Sequence, residues 1–194
     1  MKTINTLLIC LAMGFAIGQT YTTGVVNLTS TAGLAMTAKL DVGANVTLTL
    51  TGPSTRWFAL GFNAASMAGG TDVFGVHTAG ALTNCDANLT GYSAPVTDAQ
   101  QDWTITSDVV AAGVRTIIAT RALNTGDPND YIFTAAAGSL SLIWARASSN
   151  SFTYAYHGGT NRGIASAMLN LVPATPPPTG SSVQNLCAGA TVGQ

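Results

Sequence analysis

Val46-Thr47-Leu48-Thr49-Leu50-Thr51 alternates apolar and polar residues without a break, and Gly52-Pro53-Ser54 ends the run. Alternation with a period of two sorts side chains onto the two faces of an extended chain, so this segment reads as a half-buried β-strand. The glycine and proline that follow read as a turn. The next run, Arg56-Trp57-Phe58-Ala59-Leu60-Gly61-Phe62, is apolar at consecutive positions. A strand of that kind is covered on both faces and belongs in the middle of a sheet. Further short runs rich in β-branched and aromatic residues lie at Val73–Val76, Thr104–Thr106, Val114–Thr120, Leu140–Arg146 and Phe152–Tyr156. Asn124–Asp130 has turn composition. No helix of ordinary length is predicted beyond the N-terminal segment. Short strands at regular spacing predict an all-β fold, an antiparallel sandwich of about ten strands.

Composition agrees with that class. Of 194 residues only 8% are charged, the net charge is -1, and all eight acids are aspartates. A helical bundle would carry Glu and Lys on its wet faces. Without a basic patch, nucleic acid is excluded as an expected partner. Lys2 followed by the apolar stretch Leu7–Ile17 has the form of an export signal and is too short to span a bilayer. Small residues at Ala16 and Gly18 place the expected cleavage near Gly18-Gln19, giving residues 1–18 as signal peptide and a secreted or cell-surface protein with no membrane span. Cys10 does not make a lipoprotein motif, because Ile9 stands where a small residue is needed.

Residues 19–172 form the expected folded domain. Pro173–Ser182, with Pro176-Pro177-Pro178, reads as a linker. Residues 183–194 are too few to fold alone. Ser182–Val192 resembles the opening strand of immunoglobulin-like modules in Bacteroidetes surface proteins, which implies the start of a following module. The expected mature chain keeps Cys85 and Cys187; Cys85 is either a buried thiol or half of a disulfide.

Enzyme constellations are missing. There is no Gly-x-Ser-x-Gly nucleophile elbow, no placed carboxylate pair of the kind glycosidases use, and no phosphate-binding or dinucleotide glycine loop. The chain is therefore read as a carrier or binding module, not an enzyme. Two segments carry chemistry: Ser66-Met67-Ala68-Gly69-Gly70-Thr71-Asp72 and Tyr156-His157-Gly158-Gly159-Thr160-Asn161-Arg162-Gly163. One offers a thioether and the other an imidazole, each followed by paired glycines that let a flat group approach the backbone. Met and His are together an axial pair for haem iron. His157 is expected at the end of a strand. Asp72 is expected to anchor the Met67 loop through backbone hydrogen bonds. Trp57 and Trp144 read first as core, with stacking on a bound ring as the other option. Trp103 reads as a surface corner. On ligand chemistry alone, His77, His157 and Met67 also offer a copper set.

The run Trp57–Phe62, then Met67 with Gly70-Thr71-Asp72-Val73-Phe74, Gln101-Asp102-Trp103, Thr120–Asp127, and Tyr156-His157-Gly158 with Arg162-Gly163 together resemble the DOMON domain family, from about Thr23 to Val172. The resemblance implies a β-sandwich holding haem or a sugar-like ligand between or beside its sheets. In the family's haem-binding branch, which includes the cytochrome domain of cellobiose dehydrogenase, haem b is held by a Met after the Trp-containing strand and a His late in the domain. Met67 and His157 match those positions as metal ligands; His77 does not. Arg162 is added from charge alone, as a fork for a haem propionate. The expected function is one-electron transfer at the cell surface with haem b as cofactor and a separate redox partner. The alternative is a haem-free carbohydrate-binding or adhesion module of a larger surface protein.

Overall fold

The computed structural model describes residues 18–173 and contains twelve strands among them and no helix. They are β1 (Tyr21–Thr22), β2 (Val26–Thr29), β3 (Met36–Val42), β4 (Asn45–Pro53), β5 (Phe58–Phe62) and β6 (Asp72–Val76). The remainder are β7 (Asp86–Asn88), β8 (Val96–Thr97), β9 (Thr104–Ala111), β10 (Val114–Ala122), β11 (Gly138–Arg146) and β12 (Arg162–Leu171). The expected signal, linker and following module fall almost wholly outside the described residues, as does Cys187.

All pairings are antiparallel, in the order β8-β7-β6-β5-β11-β12-β1-β3-β4-β10-β9, with β2 beside β3. Strand β12 pairs with β11 on one side and β1 on the other, so the two layers are parts of one curled sheet. The excess over ten strands comes from short pieces such as the two-residue β1 and β8, which no hydrophobic period can mark.

The alternation in β4 is realised as read: Val46, Leu48 and Leu50 are fully buried and the threonines between them face outward. Strand β3, not singled out by sequence, repeats the pattern with Met36, Ala38, Leu40 and Val42. These side chains meet Phe58, Leu60, Phe62 and Phe74 from the other layer, and Ile117, Leu142 and Trp144, in one core. Strand β5 is buried at all five positions and lies between β6 and β11, as its two-sided apolar run requires.

The segment Phe152–Tyr156 is not a strand; it belongs to the long β11–β12 connection. The reason is topological. Strand β11 already has β5 on one edge and β12 on the other, so the segment has no free ladder there to join. Trp103 is not a surface corner either. It is 5% exposed, stacked on Phe62 at 5.9 Å and edge-on to Phe74 at 5.4 Å.

Close packing between the layers sets a limit at Gly52. A Cβ there would fall 2.7–2.8 Å from the Phe58 ring. Gly52→Ala should therefore cost about 1–3 kcal/mol through overpacking, read as a lower midpoint in urea unfolding. An unchanged midpoint would show that the Phe58 ring yields freely.

Candidate functional site

The second face of the β6-β5-β11-β12 sheet is where the candidate site lies. Register places Val73, Gly61, Ile143 and Ile164 in one cross-strand row, and Gly75, Ala59, Ala145 and Arg162 in the next. These rows point away from the main core, because Phe58, Leu60, Phe62 and Phe74 point into it. Small side chains at Gly61, Ala59 and Ala145 make a shallow apolar floor. Ala59, Val73, Leu89 and Ile143 form a second hydrophobic cluster there, with Met67 packed against it.

Three connections rise over this floor: residues 63–71 between β5 and β6, residues 89–95 between β7 and β8, and residues 147–161 between β11 and β12. Together they bound a mainly apolar cavity of about 780 Å³, within the usual range for small-molecule and cofactor sites. Met67, His157, Arg162 and Trp57 all line it. The four residues singled out by sequence thus converge on one space, although they come from three parts of the chain.

The Met67 and His157 loops are both tied down. In the Met67 loop, Thr71 Oγ1 donates to the Ala68 carbonyl at 2.8 Å and the Gly70 N–H to the Leu89 carbonyl at 2.7 Å. Gly70 has φ of 80°, a left-handed conformation that glycine takes without strain. Asp72 does not anchor this loop. Its side chain points to the core side of β6 and accepts from Arg121 Nη2 at 2.6 Å and the Tyr131 N–H at 2.9 Å.

The His157 loop is held at both ends. At its start, the Trp57 N–H donates to Ser151 O and the Ala147 N–H to Trp57 O, while Arg56 Nη2 reaches Asn150 Oδ1 at 2.7 Å. At its end, Asn161 Nδ2 donates to the His157 carbonyl at 2.9 Å, and Asn161 Oδ1 accepts from the buried Arg146 Nε at 3.1 Å. His157 itself is 6% exposed, and its Nδ1 lies 2.8 Å from the Gly158 carbonyl. A carbonyl only accepts, so Nδ1 is the donor in this bond, and in the neutral ring the lone pair falls on Nε2. His157 is therefore a loop residue, not the end of a strand.

Trp57 and Trp144 are 4% and 7% exposed and also line the cavity, so each is both packed and a wall. Tyr154, unremarked in the sequence, braces Trp57 edge-on at 5.2 Å. Its hydroxyl is buried without a partner against Gly75, and burial pushes its pKa up. Tyr92 and Tyr156 are 82% and 77% exposed where they border the cavity. Arg162 is exposed and makes no ion pair among the described residues. His77 does not line the cavity; its ring lies 5.3 Å from Tyr154, so copper shared by His77, His157 and Met67 has no site here. Cys85 is buried, makes no disulfide among the described residues, and has a thiol pushed up to about 11 by burial, which makes it unreactive.

The DOMON domain family model matches residues 34–147, more than half of the chain, spanning β5, β6 and β11 and ending before His157 and β12. The chain belongs to the DOMON domain family. No curated protein matches it. Among solved structures, this DOMON domain is similar to the cytochrome domain of Myriococcum thermophilum cellobiose dehydrogenase, with 16% identity over 75% of this chain and 88% of that one and a TM-score of 0.47. It is also similar to the cytochrome b domain of pyranose dehydrogenase from Coprinopsis cinerea, with 13% identity over 68% of this chain and 76% of that one and a TM-score of 0.44. Among the described residues no helix is long and apolar enough to cross a membrane.

Two substitutions test how the DOMON domain holds its His157 loop. Asn161→Ala should cost about 1–2 kcal/mol, because it leaves Arg146 Nε and the His157 carbonyl without partners, and should speed amide exchange in residues 154–161. Tyr154→Phe removes a hydroxyl that bonds to nothing, so stability should stay within about 0.5 kcal/mol or rise. Unchanged exchange in Asn161→Ala would show that the Asn161 side chain does not hold the loop.

Proposed function

We propose that this DOMON domain binds haem b in the 780 Å³ cavity, with Met67 Sδ and His157 Nε2 as the two axial ligands, and carries single electrons. The observation that carries the reading is the state of His157. It is buried in the wall of an apolar cavity shared with Met67, and its Nδ1 proton is already spent on Gly158, which leaves Nε2 as the donor. A second hydrogen bond of this kind fixes the tautomer and orientation of metal-ligating histidines. The donor set and the apolar lining both suit haem.

Held by Met67 and His157, haem would supply reversible one-electron exchange. The chain's own residues do the rest. Met67 contributes a thioether, which tends to raise the reduction potential. Asn161 and Gly158 keep the imidazole aimed. Trp57, Trp144, Val73 and Ile143 keep water away from the flat faces of the ligand. Arg162, exposed at the cavity edge and without an ion pair, would take a propionate in a fork. In this reading the domain is a carrier in an exported protein, and catalysis belongs to a partner domain or protein.

Titration of the haem-free chain with haem b tests the proposal. A Soret band of a low-spin haem is expected in the parent chain and is lost or strongly weakened in His157→Ala and Met67→Ala. Met67→His should keep the band and lower the potential. Identical spectra for the parent and both alanine variants would overturn the ligand assignment.

The exposed rings of Tyr92 and Tyr156 beside the buried Trp57 favour one second reading, a haem-free module that stacks aromatic rings on a sugar. A glycan-binding screen on haem-free protein decides it: retention on a defined glycan, lost in Tyr92→Ala, supports the sugar reading, and no retention removes it.

A further inference from the structure

On the core side of β6, behind the floor of the ligand cavity, Asp72, Asp86 and Asp130 come together. Asp86 sits opposite Phe74 on the β6–β7 ladder, so it shares the inward face with Asp72. Asp130 comes from the β10–β11 connection. One carboxylate oxygen from each lies within 4.8 Å of the others. Asp72 and Asp86 are 2% and 1% exposed.

The single compensating charge is Arg121, with Nη2 at 2.6 Å from Asp72 Oδ2 and Nη1 at 3.1 Å from Asp130 Oδ2. Its guanidinium is boxed in by the rings of Phe62, Trp103 and Phe133, at 4.7 to 5.8 Å. Three carboxylates against one guanidinium leave an excess of two negative charges in the interior, where an unbalanced charge is costly. Two of the buried oxygens, Asp72 Oδ1 and Asp86 Oδ1, have no hydrogen-bond partner at all. A second cavity of about 630 Å³, bordered by Asn63, Gly70 and Asn129, reaches Asp72 and Asp130 of the cluster from outside.

We propose that Asp72, Asp86 and Asp130 form a divalent cation site of calcium type, filled through this second cavity and independent of the haem reading. The donors are all oxygen, which selects a hard cation, and calcium tolerates an irregular set and gives up its waters more readily than magnesium. One such ion balances the two excess charges and satisfies the bare oxygens together.

The competing way to balance the charge is protons. Burial pushes Asp72 up to about 6 and Asp86 up to about 7. Asp130 is raised for the same reason, while Arg121 pulls all three down. Asp102 and Asp127 are the further charges felt at Asp130. A carboxyl whose folded pKa exceeds its unfolded value stabilises the fold only while protonated.

The test is the thermal midpoint of the chelator-treated, desalted chain at about pH 5 and about pH 8, with and without calcium chloride. At the higher pH, calcium at about 100 times its Kd should raise it by roughly 5–10 °C. Asp86→Asn should abolish that rise. Terbium luminescence excited through Trp103, whose ring lies 4.7 Å from the Arg121 guanidinium, gives a second readout if Asp86→Asn does not fold: calcium should displace the signal in the parent chain. Superimposable midpoints with and without calcium, or a calcium response that survives in a folded Asp86→Asn, would overturn the site and leave the balance to protons.

Discussion

Strand β5 is apolar on both faces, so the sheet around it has to be covered twice. One face is covered by the other layer of the curled sheet, where Phe58, Leu60 and Phe62 enter the main core. The opposite face, with Ala59 and Gly61, has no second sheet. Loops cover it instead, and loops do not fill space as a sheet does. What remains beneath them is an apolar cavity lined by Met67, His157, Trp57 and Arg162. The cavity follows from a packing problem solved with loops: the sheet supplies the floor, and the connections supply most of the walls.

Two of the three covering loops are fastened by different means. Thr71 and Gly70 close the Met67 loop through backbone hydrogen bonds. Asn161 couples the His157 loop to Arg146 at the end of β11. Asp72 acts on the far side of the same strand, bridging β6 to β10 through Arg121. The ligand cavity and the acidic cluster are thus back to back across β6, one facing the loops and one facing the interior.

The fold was legible where a period could form. The alternation of Val46–Thr51 and the unbroken run Phe58–Phe62 were enough to give an antiparallel sandwich and its central strand. Phe152–Tyr156 misleads because its composition is that of a strand while both edges of β11 are occupied, and pairing opportunity is not encoded locally. Trp103 misleads because its polar neighbours Gln101 and Asp102 turn to β7, donating to Asp86 O and Asp86 Oδ2, which leaves the indole to the core. Met67 and His157 stood out by residue type, by their glycine neighbours and by family resemblance. The floor of Ala59, Gly61 and Ala145 did not, because only strand register puts these residues in adjacent rows. The Asp72, Asp86, Arg121 and Asp130 cluster draws on four separate segments, and no spacing in the sequence joins them.

The account stands or falls on what occupies the cavity above β5. Its most direct measurement is the absorbance spectrum of the full chain purified from an export host grown with ample haem, recorded oxidised and reduced. The account predicts a Soret band in roughly one-to-one proportion to protein, sharpening and shifting on reduction as a six-coordinate low-spin haem does. A chain that folds, exports and shows only aromatic absorption under those conditions would contradict it.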